Sequence, residues 1–214
     1  IPIKGDASFR KFYRLQGKKD NKIFVLAKKE KYKNLVAYSA INRFLRNNKI
    51  LAPKLYSHNF NKGYIIIQDF GKLTFYELIK KNKNKLKIYK KLVDLLLKIQ
   101  NIKPKSNITN IIGKPHQIKK YSKDLLFKES NLFFDWYLPL FLTKKKAINM
   151  KKNINFFLSQ LYDSLYFSNT CLVHRDYHAQ NLMKFGNKIA VIDSQDTIIG
   201  NPAYDLVSLI DDVR

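Results

Sequence analysis

Eight consecutive residues near the C-terminal end, His174-Arg175-Asp176-Tyr177-His178-Ala179-Gln180-Asn181, constrain this chain more than any other feature. They follow the apolar run Cys171-Leu172-Val173 and lead into Leu182. A second apolar run, Ile189-Ala190-Val191-Ile192, ends on Asp193 twelve residues after Asn181. Short apolar runs bounded by turn signals read as buried strands, so residues 171–174, 182–185 and 188–192 are expected to be strands, with Gly186-Asn187 turning the chain between the last two. The polar residues then sit on a loop and at a strand end, positions that fix side-chain geometry.

The rest of the chain divides by pattern. Residues 1–14 read as strand, turn and strand around Gly5-Asp6-Ala7-Ser8, and 22–27 as a further strand. Ala37, Tyr38, Ile41, Phe44 and Leu45 recur at helical spacing and predict an amphipathic helix over 35–45. Strands are expected at 55–57 and 64–68, joined through the turn signal Asn61-Lys62-Gly63. After Gly71 the character changes to helix: 73–80, then 86–99 with Leu86, Tyr89, Leu92, Val93, Leu96 and Ile99 on one face. Residues 101–115 read as a polar connection. Helices follow over 118–141, broken near Pro139, and over 144–166. A last helix starts at Tyr204 after Asn201-Pro202. The expected fold is α+β with two lobes: residues 1–70, a small antiparallel sheet with one helix, and residues 71–214, mainly helical with a short β segment.

Charge is the next constraint. The formal net charge is +25, yet only 6 of the 41 basic residues are Arg. Readers of phosphates and base edges favour the bidentate Arg fork. Lys, Asn and Ile are together abundant, as AT-rich codons would make them, so no nucleic-acid partner is expected. The 16 acidic residues are unevenly spread, and six of them (Asp176, Asp193, Asp196, Asp205, Asp211, Asp212) fall after residue 170. Cys171 is the single cysteine, which excludes an internal disulfide or a Cys-based zinc site and suits a reducing cytoplasm. No apolar stretch reaches the ~18 residues of a membrane span.

The eight-residue string matches the catalytic-loop pattern H-R-D-x-x-x-x-N at each fixed position. Phosphoryl transfer needs positioning and charge neutralisation more than covalent help. Asp176 is the candidate carboxylate for the attacking hydroxyl. Asn181 and Asp193 offer the oxygen ligands that suit Mg²⁺. His174 is expected to be braced structurally and His178 to face substrate. A zinc pair at His174 and His178 is not expected, because no glutamate lies between them in an H-E-x-x-H pattern.

These residues, with Val191-Ile192-Asp193-Ser194-Gln195-Asp196 and Gly200-Asn201-Pro202-Ala203-Tyr204-Asp205-Leu206, resemble the aminoglycoside phosphotransferase and choline kinase superfamily. Gly5-Asp6-Ala7-Ser8-Phe9-Arg10, Asp69-Phe70-Gly71 and Phe133-Phe134-Asp135-Trp136-Tyr137 are similar to its cell-wall amino-sugar kinase branch. The resemblance implies a protein-kinase-like fold, ATP and Mg²⁺ as cofactors, and phosphorylation of the anomeric hydroxyl of N-acetylmuramate or N-acetylglucosamine in cell-wall recycling. It further implies that Gly5, Ser8, Phe9 and Arg10 cover the nucleotide phosphates, and that Gln68, Asp69 and Phe70 form a hinge to adenine. By the same resemblance Asp205 braces the catalytic loop, while Gln195 and Asp196 reach sugar or metal; Arg175 belongs with this supporting set. It also implies further C-terminal helices beyond residue 214. One departure stands out. Kinases of this fold pair a strand Lys with a helix Glu. Lys28 and Lys29 follow the right strand, but residues 35–45 contain no acid, so phosphate holding falls to Arg10 or to backbone groups. Alternative readings are a kinase for another small alcohol (an aminoglycoside, choline or a homoserine-like acceptor), a basic nucleic-acid-binding module, and an inactive kinase-like protein.

Overall fold

The structure, a computed structural model, describes residues 1–3, 10–18, 20–27, 32–165 and 168–211. Gly5, Ser8, Phe9, Lys28 and Lys29 therefore lie outside the described residues. The chain forms two compact units, one of residues 1–119 with 170–214 and one of residues 120–169.

The first unit begins with a five-stranded antiparallel sheet. Its strands are β1 (Pro2–Ile3), β2 (Lys11–Leu15), β3 (Lys22–Leu26), β4 (Leu55–Asn59) and β5 (Tyr64–Gln68), in the order β1-β2-β3-β5-β4. Cross-strand register places Phe12 opposite Val25, Arg14 opposite Ile23, Ile23 opposite Ile67 and Val25 opposite Ile65. Strand alternation therefore puts these residues on one face. Val25 and Ile65 are its most deeply buried members, whereas Tyr13, Phe24 and Tyr64 meet in tilted ring contacts along the opposite face.

Helix α1 (Tyr32–Asn47) connects β3 to β4. Its Leu35, Val36 and Tyr38 join the sheet's core, while Ala40, Ile41, Phe44 and Leu45 join a second core built largely of helices. One helix thus ties two apolar clusters together, which is why nearly all of its middle is buried rather than a single stripe. It ends in a left-handed turn: Lys49 takes a φ of 63°, a conformation more often left to glycine at helix ends, and Ile50 N–H reaches back to Leu45 O at 3.0 Å.

After the sheet come α2 (Phe75–Lys81) and α3 (Lys85–Gln100). Thr74 caps α2 by accepting from Glu77 N–H, and Asn84 caps α3 by accepting from Lys87 N–H. The buried face of α3, Ile88, Leu92, Leu95, Leu96 and Ile99, packs in one cluster with Leu172, Tyr177, Leu182, Val191 and Leu209. The expected polar connection over 101–115 proves to hold a hairpin, β6 (Asn107–Thr109) with β7 (Pro115–Gln117). Asn110 makes the turn: its Oδ1 accepts from Ile112 and Lys114 N–H, and Gly113 supplies the positive φ of 79°.

Beyond residue 169 the unit resumes with β8 (Cys171–Val173), β9 (Leu182–Phe185), β10 (Lys188–Val191), β11 (Ile198–Gly200) and α6 (Ala203–Ile210). β9 pairs with β10, as expected, and β8 pairs with β11, a strand the sequence reading did not find.

The second unit holds α4 (Lys123–Leu132) and α5 (Lys144–Ser164). The single helix expected over 118–141 is instead α4, a π-helical turn at Phe133–Tyr137 and a 3-10 turn at Leu138–Leu140 that contains Pro139. Within this unit Phe127 meets Tyr162 edge-on at 4.9 Å, and Lys123 pairs with Asp163.

Candidate active site

The string from His174 to Asn181 lies between β8 and β9, where a short loop must leave one strand and enter another while its own backbone groups stay satisfied. Asp205, on the first turn of α6 and fully buried, does much of that work: its carboxylate accepts from His174 N–H at 2.6 Å and Arg175 N–H at 2.9 Å. Burial pushes the Asp205 carboxyl above the ordinary carboxylate range, against the opposing pull of His174 and those two amides. Tyr177 points into the core, where its hydroxyl donates to Leu92 O at 2.8 Å. Arg175 takes a left-handed φ of 73° at the sharp bend.

His174 then links the loop to the strand that carries the next carboxylate. Its Nδ1 accepts from Asp176 N–H at 3.3 Å, so its Nε2 carries the proton and donates to Ile192 O at 3.1 Å. Ile192 N–H in turn donates to Asn181 O at 3.0 Å. Ile192 is thus held on both sides by the loop, and Asp193, its neighbour, is delivered beside it. Asp193 has a left-handed φ of 65°, a conformation that costs a non-glycine residue about 1–3 kcal/mol unless its surroundings hold it. Here they do: the buried Ser194 hydroxyl donates to Asn42 on α1 at 2.8 Å, and the Thr197 hydroxyl donates to Ser194 O at 2.8 Å.

Asp176, Asn181 and Asp193 line one cleft of about 670 Å³, together with His178, Gln180, Arg10 and the sheet residues Phe12, Arg14, Ile23 and Ile67. Asp176 accepts from Asn181 Nδ2 at 2.9 Å, and His178 Nε2 lies 3.0 Å from its other oxygen. Burial alone would raise the Asp176 carboxyl. The hydrogen bond and charge of His178, the Asn181 amide and the nearby His174 outweigh it, and the group lies below its ordinary value. It is therefore ionised at neutral pH. With its Nδ2 engaged by Asp176, the group Asn181 could offer to a cation is its carboxamide oxygen. Among the described residues no cluster of three or more His, Cys, Asp or Glu could hold a metal by itself.

The residues between β5 and α2 also line the cleft: Gln68, Asp69, Phe70, Gly71 and Lys72. Asp69 does more there than the sequence reading assigned to it. Its carboxylate is clamped by Arg14, with Nε to Oδ2 at 2.5 Å and Nη2 to Oδ1 at 3.1 Å; Arg14 Nη2 also donates to Gly71 O at 2.7 Å. Gly71 N–H closes the loop onto Asp69 Oδ1 at 2.8 Å. Arg14 was missed from sequence, although it alternates with Arg10 and Phe12 and so lies on the same strand face.

Arg10 reaches furthest. Its Nη2 donates to Asp193 Oδ1 at 2.5 Å and its Nη1 to Gln195 Oε1 at 3.0 Å, while the guanidinium lies over Phe12 and Tyr38. Tyr38, also missed from sequence, is buried, and its hydroxyl is pushed up to about 12 by that burial and then by the Asp193 charge. Asp196 accepts from Gln195 Nε2 at 2.9 Å. Of the expected site residues, Arg10, Gln68, Asp69, Phe70, Asp176, His178, Asn181 and Asp193 line the cleft; His174, Arg175, Gln195, Asp196 and Asp205 are not among its lining residues.

A small antiparallel sheet with one helix, followed by a loop that presents Asp176 and Asn181 beside a strand-end Asp193, defines a protein-kinase-like fold. The chain belongs to the phosphotransferase enzyme family, whose model matches residues 1–214. It is 27% identical over 207 residues to the N-acetylmuramate/N-acetylglucosamine kinase of Pseudomonas putida, a match covering 97% of this chain and 58% of that protein. The chain thus spans under two thirds of the length of that relative. Its fold matches the choline kinase LicA of Streptococcus pneumoniae at a TM-score of 0.63 and 14% identity, covering 97% of this chain and 66% of that one. The same TM-score, at 13% identity, relates it to a thermostable mutant of an aminoglycoside phosphotransferase in ternary complex with AMP-PNP and hygromycin B, covering 97% of this chain and 69% of that one. Among the described residues no helix is long and apolar enough to cross a membrane.

Proposed function

We propose that this chain is the nucleotide-binding and catalytic part of an ATP- and Mg²⁺-dependent kinase that phosphorylates the anomeric hydroxyl of an amino sugar, N-acetylmuramate or N-acetylglucosamine. The observation that carries the reading is the gathering of Asp176, Asn181 and Asp193 on one cleft whose other wall is the inner face of the sheet. In this reading residues 1–70 hold the nucleotide and residues 71–214 carry the catalytic groups. The sugar is proposed from the P. putida relative.

Asp176 is ionised and lines the cleft, so it can accept the hydrogen bond of an incoming hydroxyl and take its proton as the new oxygen–phosphorus bond forms, the bond from the γ-phosphorus to the bridging oxygen breaks and ADP leaves. His178 and Asn181 hold the carboxylate in place. The donor set fits Mg²⁺, with a carboxylate from Asp193 and a carboxamide oxygen from Asn181. The small number of protein ligands suits an ion that keeps waters and takes substrate phosphates. Bound there, the ion would neutralise charge on the phosphates. Ile3, Phe12, Ile23, Ile67, Met183 and Ile192 give the cleft apolar walls suited to a purine ring. Arg10 is placed to meet phosphate oxygens, and Gln68, Asp69 and Phe70 offer backbone groups at the hinge.

An acceptor screen with radiolabelled ATP and Mg²⁺ on the full-length protein tests this. Turnover on N-acetylmuramate that disappears in Asp176→Ala is expected. Turnover confined to choline or an aminoglycoside would replace the sugar and keep the kinase. Equal turnover in wild type and Asp176→Ala would end the assignment of Asp176.

A further inference from the structure

The carboxylate assigned to the metal is already engaged by a side chain of the protein. Arg10 immediately precedes β2, and its guanidinium makes the 2.5 Å bond to Asp193 Oδ1 and the 3.0 Å bond to Gln195 Oε1. It is 8% exposed and lies 5.5 Å from the Phe12 ring centre and 5.8 Å from that of Tyr38. In the usual arrangement a strand cation is held by a glutamate on the helix. Helix α1 carries no Asp or Glu. It contributes Tyr38 instead, a ring that supports a cation without neutralising it. Among the described residues the acidic partner that the structure shows for this cation is Asp193.

Resting on the proposed function, we infer that Arg10 and the divalent ion compete for Asp193, so that metal binds well only together with a phosphate group that gives Arg10 another partner. A carboxylate oxygen in contact with a guanidinium has much of its charge compensated. A dication placed on the same oxygen would sit a few ångströms from a fixed positive charge in a partly buried site, where like charges repel strongly. A nucleotide polyphosphate removes the conflict, because it offers Arg10 the bidentate acceptor its fork matches best. The lone ion is thereby disfavoured and the metal–nucleotide pair favoured. The sign of the effect is distinctive. Loss of Arg10 should tighten binding of the bare ion and weaken binding of the metal-free nucleotide, whereas a merely structural arginine would weaken both.

The test is Mn²⁺ titration followed by electron paramagnetic resonance, without nucleotide, on the full-length protein. Wild type, Arg10→Gln and Asp193→Asn are compared, each checked for native circular dichroism. ADP binding in EDTA is measured by calorimetry alongside. Arg10→Gln is expected to bind Mn²⁺ about tenfold tighter and ADP about tenfold more weakly, each tenfold being ~1.4 kcal/mol. Asp193→Asn is expected to lose the Mn²⁺ site. A folded Arg10→Gln with unchanged or weaker Mn²⁺ affinity overturns the competition while leaving the metal assignment standing. Should Arg10→Gln not fold, Arg10→Lys replaces it: an ammonium keeps the charge but not the fork across Asp193 and Gln195, a tightening of about twofold to threefold is expected, and none at all overturns the inference. Undiminished Mn²⁺ binding in Asp193→Asn removes the metal assignment and the competition with it.

Discussion

The clamp between Arg14 and Asp69 gives the sharpest stability prediction. Arg14 makes three hydrogen bonds, two to the Asp69 carboxylate and one to Gly71 O, and the two side chains are 12% and 5% exposed. The pair joins β2 to the segment after β5 across 55 residues of chain. Arg14→Ala leaves the Asp69 carboxylate buried with the Gly71 N–H and no opposing charge. Breaking one side of a buried pair in this way costs about 3–5 kcal/mol. In a chain of this size that corresponds to a fall in Tm on the order of 10 °C. Arg14→Lys keeps the charge but loses the fork, and about half the effect is expected. The Arg14→Ala/Asp69→Ala double variant removes the stranded charge and should recover part of the loss, a coupling readable from the double-mutant cycle. Thermal unfolding followed by far-UV circular dichroism at low and high salt is the assay, and the difference should survive salt because the pair is shielded from solvent. Two results would refute the reasoning: an Arg14→Ala variant within about 1 kcal/mol of wild type, or a double variant no more stable than the single one.

Asp176→Asn should retain nucleotide affinity while its turnover on the accepted substrate falls at least about a hundredfold, the range of a lost general base; a coupled ADP-release assay measures it. Because Asp176 is held below its ordinary value, its ionised form contributes stability above the unfolded value of 3.8, and that contribution is lost as pH falls through the folded value. The acid limb of the unfolding curve should accordingly be shallower in Asp176→Asn than in wild type. Cys171 is buried, and its thiol is pushed up to about 11 by that burial and then by the Asp205 charge. Iodoacetamide at pH 8 should therefore label it only as fast as the chain unfolds, which mass spectrometry can follow. Tyr177→Phe removes the hydroxyl bonded to Leu92 O and should cost about 1 kcal/mol by denaturant titration, with the hydrophobic packing of the ring retained.

Much of this protein is local in origin and so could be read from the chain. Helix α3 follows from one apolar face, and β3 and β5 from short apolar runs. The string from His174 to Asn181 and the later Asp193 could be picked out because each sits at the end of a short apolar run, where a strand must give way to a loop. The β6–β7 hairpin was legible only in the Asn110 and Gly113 turn chemistry, and β11 scarcely at all, since three apolar residues make no period.

What tertiary structure alone decided is the set of partners. Arg10 meets Asp193 across 183 residues, Ser194 meets Asn42 across 152, and Tyr177 meets Leu92 across 85. Periodicity reports which face of an element is apolar; it holds no information about which distant charge will stand opposite. That choice is made when the sheet, α1 and the β8–β11 segment pack into common cores and the remaining polar groups must find partners or pay for burial. The sequence thus determined which polar residues follow the short apolar runs, and packing decided that Arg10 and Tyr38 stand beside Asp193.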